Sequence, residues 1–306
     1  MPRAELAGAA VAAALALLGC GDEVPAGGVP RVALEAPARR LVPDELVPGH
    51  LELVVRFDLE RMHVALGDDP QSALGARLGD EPLVLRALGK ARSALLALRS
   101  ASLEAGDHVL VLEGDFAGLA PDEQVYAPVP SSDERVRLYL RRSSARRAGT
   151  EAIVVVGGRI LAFASPLEAD ALLRVAQRGP DAARGAPVAE GLVSVDFRPK
   201  RLDPRLERRF PSVARLVAQT ERVRAKLGAK DDGLRVEAEV LARAEPGAER
   251  IARFLEALRA GATGEAGASS ELGALVIEPV GRTVHLSMPL DAAAVLRAFS
   301  EPRPER

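Results

Sequence analysis

Apolar and polar residues alternate with a period of two in several short stretches of this chain. Leu51, Leu53, Val55 and Phe57 face one way in LELVVRF, which is the strand period. Val136–Arg141 and Leu234–Leu241 repeat it, His108–Glu113 reads as a second strand, and Leu192–Phe197 (LVSVDF) resembles the first strand. Ile153–Val156 and Ile160–Ala164 flank Gly157-Gly158, and two glycines suit the positive φ angles of a tight hairpin. Ala274–Glu278 and Thr283–Ser287 form a second such pair around Val280-Gly281.

Other stretches carry the helical period. Val84, Leu88, Ala91, Leu95 and Leu98 make one stripe and predict a helix over Leu83–Leu103. Val213, Leu216, Val217, Thr220, Val223 and Leu227 predict another over Pro211–Leu227, and Ile251, Phe254, Leu255 and Leu258 a third over Gly247–Ala260. Ser165-Pro166-Leu167-Glu168 predicts a helix start running to Gln177. Ser165 would cap it, Pro166 would fill the first turn and Glu168 would complete a capping box. Pro289–Phe299 reads as the last helix.

The pattern also repeats at long range. GRILAFASPLEADALLR (158–174) aligns without a gap on GRTVHLSMPLDAAAVLR (281–297). Gly158/Gly281, Arg159/Arg282, Pro166/Pro289, Leu167/Leu290 and Arg174/Arg297 are among the identities. The fold class expected is α+β, with two tandem similar units at 49–180 and 187–300. Each would be an antiparallel or mixed sheet packed against amphipathic helices, and a polar tail follows at 301–306. Two copies make a duplicated domain and not a solenoid.

Before the first strand the chain has a different character. Leu6–Gly19 is an apolar run of about 14 residues, where a spanning helix needs about 20. Arg3 precedes it and Cys20, the only cysteine, follows it. Leu17-Leu18-Gly19-Cys20 resembles the lipobox of bacterial lipoproteins. The resemblance implies a signal peptide at 1–19, cleavage after Gly19, and lipidation of Cys20 as the new N-terminus. It further implies stable membrane anchoring without a transmembrane helix, because such proteins carry more than one acyl chain. In enteric bacteria an Asp after the cysteine favours the inner membrane. Here Gly21 stands there, so a lipid anchor in the outer membrane, facing periplasm or surface, is expected. Residues 20–48, rich in Pro, Gly and Ala, read as a tether whose last part, Leu41–Pro48, docks on the first unit. The remainder is loosely similar to Ala/Leu-rich exported lipoproteins of GC-rich bacteria, which carries over no catalytic residue.

Composition narrows the function classes. With Cys20 acylated no disulfide is available, so roughly 285 residues must be held by a packed core. Aromatics are 3% and Trp is absent, which disfavours sites that grip sugars or bases by stacking. A net charge of −2 offers no overall field for nucleic acid. The four histidines, His50, His63, His108 and His285, show no metal-ligand spacing. No G-x-S-x-G elbow, P-loop or dinucleotide fingerprint occurs. Asp68-Asp69 and Asp231-Asp232 read as solvated turns. Two basic clusters stand out: Arg135, Arg137, Arg141, Arg142, Arg146 and Arg147, then Arg198, Lys200, Arg201, Arg205, Arg208 and Arg209. Both fit a solvated face interleaved with acids, or contact with an envelope protein or an anionic lipid or glycolipid.

No catalytic, metal or cofactor residue is therefore assigned. The expected function is a non-enzymatic binding or scaffolding module on the membrane. The alternatives are a carrier of a lipid or other hydrophobic ligand, and a hydrolase with dispersed carboxylates, which leave no local motif.

Overall fold

The computed structural model describes residues 41–66, 74–75, 81–100, 107–142, 149–180, 191–200, 204–230, 233–263 and 273–291. The fold is α+β. The strands are β1 (Leu53–Asp58), β2 (Ala91–Leu98), β3 (His108–Gly114), β4 (Tyr126–Val129), β5 (Val136–Arg141), β6 (Ala152–Val156), β7 (Ile160–Ala164), β8 (Val193–Phe197), β9 (Thr220–Lys230), β10 (Gly233–Ala242), β11 (Val276–Val280) and β12 (Thr283–Leu290). The helices are α1 (Leu59–Leu66), α2 (Pro82–Leu88), α3 (Ala169–Arg178), α4 (Pro204–Arg209), α5 (Pro211–Gln219) and α6 (Glu245–Thr263).

All twelve strands lie in one sheet, in the order β11-β12-β10-β9-β8-β1-β2-β3-β7-β6-β5-β4. Every neighbouring pair is antiparallel. At the centre β1 pairs with β8, Val55 opposite Val195. Outward from that seam one side begins β1-β2-β3-β7-β6 and the other reads β8-β9-β10-β12-β11. The two expected sheets are thus one. Joining the first strand of each half satisfies backbone groups that two separate sheets would expose at open edges.

Alternation along β1 divides the interior between the two faces of the sheet. Leu53, Val55 and Phe57 enter a core beneath α1 and α2, which Leu96, Leu112, Leu161 and Phe163 extend. Val54 enters a core on the other face, with Leu95, Val111, Val154 and Leu172 of α3. Leu41, Leu46 and Val47 are buried in that second core, so the segment before β1 is bolted to the body. A third core lies beneath α6, around Val240, Ile251 and Val284.

Two predicted helices are half strand. Of the expected helix Leu83–Leu103, the part up to Leu88 lies in the helix Pro82–Leu88, the chain becomes β2 after Gly89-Lys90, and 101–103 are outside the described residues. Ala94, Leu96 and Leu98 face one core while Leu95 and Ala97 face the other. A strand buried on both faces reads as an unbroken apolar run, and such a run also satisfies a helical stripe. Pro211–Leu227 likewise splits into α5 and β9. Val223, Ala225 and Leu227 alternate there with Arg222, Arg224 and Lys226, and ten of its residues pair with β10, five of them also with β8.

At the last predicted helix, Pro289 and Leu290 continue β12. Pro289 sits past the last partner in β11, where β12 has a neighbour on one side only. The rest of that helix, residues 292–299, is outside the described residues. The hairpin turns stand as read. Gly157 and Gly158 have φ of 55° and 69°, and Arg159 N–H donates to Val156 C=O at 3.0 Å.

Candidate functional site

The ends of β1, β2, β3 and β7 converge on one rim of the sheet, and a cluster of polar side chains is sunk among them. Glu168, fully buried, precedes α3. Its Oε2 lies 2.6 Å from His50 Nε2, and its Oε1 accepts from Arg99 Nη2 at 2.7 Å. His50 leads into β1 and Arg99 leaves β2, so one carboxylate clamps three separate segments. Beside it the buried Glu52 accepts from Ser100 N–H at 2.9 Å and from the Ser100 hydroxyl. The Glu52 carbonyl accepts from Arg198 N–H at 2.9 Å. The Glu168 bonds are short and charge-assisted, as a buried carboxylate requires.

Ser165 does not cap the helix. Its hydroxyl accepts from His108 N–H at 3.0 Å, tying the end of β7 to the start of β3. Glu168 does not reach back to close a capping box either, because Arg99 and His50 engage both its oxygens. The local S-P-L-E pattern loses here to partners about 70 and 120 residues away in sequence.

Two further charged groups are held in the same manner. Asp196, 1% exposed, takes Arg222 bidentately at 2.6 and 3.0 Å, with Arg198 Nε at 3.5 Å. Arg141, on β5, donates to Thr150 C=O at 2.8 Å, to Glu81 at 3.1 Å and to the Tyr126 hydroxyl at 3.2 Å. Burial pushes the Tyr126 hydroxyl above its ordinary value, with Glu81 adding to the rise. Burial likewise raises the Glu151 carboxyl, against the pull of Arg141.

The first predicted basic cluster therefore divides. Arg141 is internal, Arg135 chelates Asp133, and Arg142 donates to Glu123 C=O. Arg137 lines a shallow groove of about 240 Å³ with Pro128, Val129 and Tyr139. In the second cluster Arg198 turns to Asp196, while Arg209 stacks 5.2 Å from the Phe210 ring centre. His285 lies 3.8 Å from Glu239. Gly19, Cys20, Asp68-Asp69, Arg146, Arg147, Arg201 and Asp231-Asp232 are outside the described residues.

Sequence reading missed the clamp of His50, Glu52, Arg99 and Glu168, because its members are scattered along the chain. Asp196 left a faint signal, as an acid inside an otherwise apolar strand.

No protein-family model matches the chain, and no curated protein matches it. Solved structures do. Crystal form I of TP0453 is similar at 12% identity, with a TM-score of 0.48 over 86% of this chain and 99% of that one. Crystal form III gives 12% identity and 0.49 over 84% and 98%, and crystal form IV gives 9% and 0.45 over 86% and 98%.

Proposed function

We propose that this chain is a lipid-anchored envelope protein whose body is a non-enzymatic binding or scaffolding module. Leu17-Leu18-Gly19-Cys20 carries the reading. Cys20 bears the acyl chains, and Gly21 directs the protein to the outer membrane. The buried ends of the tether support it, since Leu41, Leu46 and Val47 give a pull on the anchor a firm attachment to the body. The clamped carboxylates support a framework role, because Glu168 and Asp196 each spend both oxygens on cationic partners or histidine. The body is a duplication. The matching strand orders on either side of the β1–β8 seam support this, as does the ungapped match of 158–174 with 281–297.

The test is palmitate labelling of cells expressing the full chain or Cys20→Ser. The wild type should take up label and sediment with membranes. Equal absence of label in both would refute the anchor.

One observation favours the second reading, a carrier of an apolar ligand. Phe210 and Val213 at the start of α5 are exposed over about two fifths of their surface, while Val195, Phe197 and Val236 on the sheet are only partly buried. Native mass spectrometry of detergent-solubilised protein would then show a co-purifying lipid, and its consistent absence counts against this reading.

A further inference from the structure

We infer that the solvent face of β8, β9 and β10 is a seat for anionic lipid headgroups, brought to the bilayer by the tether that leaves beside it. The inference rests on the lipid-anchor reading for its geometry and on the strand register for its chemistry. Directly paired residues of an antiparallel sheet share a face. Val54 lies opposite Asp196, Asp196 opposite Arg224, and Arg224 opposite Glu239. Arg224 therefore lies on the face that Val54 shares with Leu41, Leu46 and Val47.

The next row, Arg56–Ser194–Lys226, fixes the distance. Arg56 Nη2 holds Asp44 Oδ2 at 2.6 Å, which seats the tether end over β1. β9 is two strands away, about 10 Å. Residues 21–40 join Cys20 to Leu41 and span at most about 70 Å, so the bilayer is within reach of this face.

The face is locally cationic in a chain of net charge −2. Arg222, Arg224 and Lys226 recur at every second position of β9. Lys230 ends the row, and Arg235 stands opposite Gly228. Among the described residues of this face, with Arg198 these cations number six, against Asp196, Glu237 and Glu239. Asp196 is buried and used by Arg222, and Glu237 is used by Lys226 at 3.0 Å. Arg224 and Lys230 extend from an exposed part of the strand, and Arg235 meets the neutral Ser287 hydroxyl at 3.3 Å. Each cation near an anionic leaflet adds about five-fold to the seated population. Such a patch beside an acyl anchor is a second, salt-sensitive attachment.

The chain has only four lysines, Lys90, Lys200, Lys226 and Lys230, which makes an amine footprint simple to read. The full-length protein is reconstituted in nanodiscs of phosphatidylcholine, with or without about a third phosphatidylglycerol, and treated with an amine-reactive reagent. Lys90, at the turn between α2 and β2, is the reference. The seat predicts that Lys230 labelling relative to Lys90 falls several-fold in anionic discs only. It should recover in high salt and in the double variant Arg224→Gln/Arg235→Gln, checked by circular dichroism. An unchanged Lys230/Lys90 ratio in anionic discs overturns the seat. Intact mass of the same sample reports separately whether Cys20 is acylated, so failure of the anchor and failure of the seat are told apart.

Discussion

Replacing Glu168 by alanine removes the one carboxylate that clamps three segments of the rim. Two donors lose their acceptor, Arg99 Nη2 at 2.7 Å and His50 Nε2 at 2.6 Å. A hydrogen bond to a charged group contributes about 1.5–3 kcal/mol, so the two together set an upper bound of about 6 kcal/mol. The side chains of Arg99 and His50 keep 38% and 34% exposure, and water takes up part of the loss. The expected cost is therefore about 3 kcal/mol for Glu168→Ala, and about half that for Glu168→Gln, which retains one acceptor. For a chain of this size a urea m-value near 3 kcal/mol/M converts the first figure into a midpoint about 1 M lower. Urea unfolding followed by far-UV circular dichroism measures it. A cycle with His50→Ala should give a coupling of about 1 kcal/mol. A midpoint unchanged within error, or additive single variants, would show that the clamp holds nothing.

Other perturbations reach other parts of the account. Leu46→Ala empties a fully buried site where the segment before β1 meets the second core, and should lower stability by about 3 kcal/mol in the same assay. Pro279 lies on the edge strand β11. The two-residue loop Gly281-Arg282 makes Pro279–Val284 a non-hydrogen-bonded pair, so the Pro279 nitrogen points away from β12. Pro279→Thr restores an outward N–H and should produce concentration-dependent association in light scattering, whereas a monomer at all concentrations refutes edge protection. The Glu151 carboxyl is raised by burial, so the folded state binds its proton more tightly than the unfolded chain. The stability this gives is fully present below the ordinary carboxylate range, near 4, and is lost as pH rises through the folded value. Glu151→Gln should accordingly raise the melting temperature at pH 7 and lose that advantage in acid. A variant less stable than wild type at pH 7 contradicts this.

Most strands were legible from the sequence. β1, β5, β8 and β10 fall where apolar and polar positions alternate, and β3 and the strands flanking Gly157-Gly158 fall on short apolar runs bounded by polar residues or glycines. β2 and β9 were hidden for different reasons. β2 is buried on both faces, so nothing polar breaks its apolar run. β9 follows directly on α5, and Thr220, Val223 and Leu227 extend the spacing of the helix before it. The short α1 went unread because it follows β1 without a break. The clamp was out of reach for a more basic reason. His50, Glu52, Arg99 and Glu168 converge only once β1, β2 and β7 are paired, and the S-P-L-E motif offered Ser165 and Glu168 a local role that the folded chain does not use. The ungapped match of 158–174 with 281–297, by contrast, was visible in sequence, and the strands run β1-β2-β3-β7-β6-β5-β4 on one side of the β1–β8 seam and β8-β9-β10-β12-β11 on the other.

Intact-mass analysis of the protein from its native membrane tests the central claim most directly. The account predicts a chain that begins at Cys20, lacks residues 1–19 and carries the added mass of acyl chains on that residue. A chain that retains Met1 with an unmodified thiol at position 20 would contradict it.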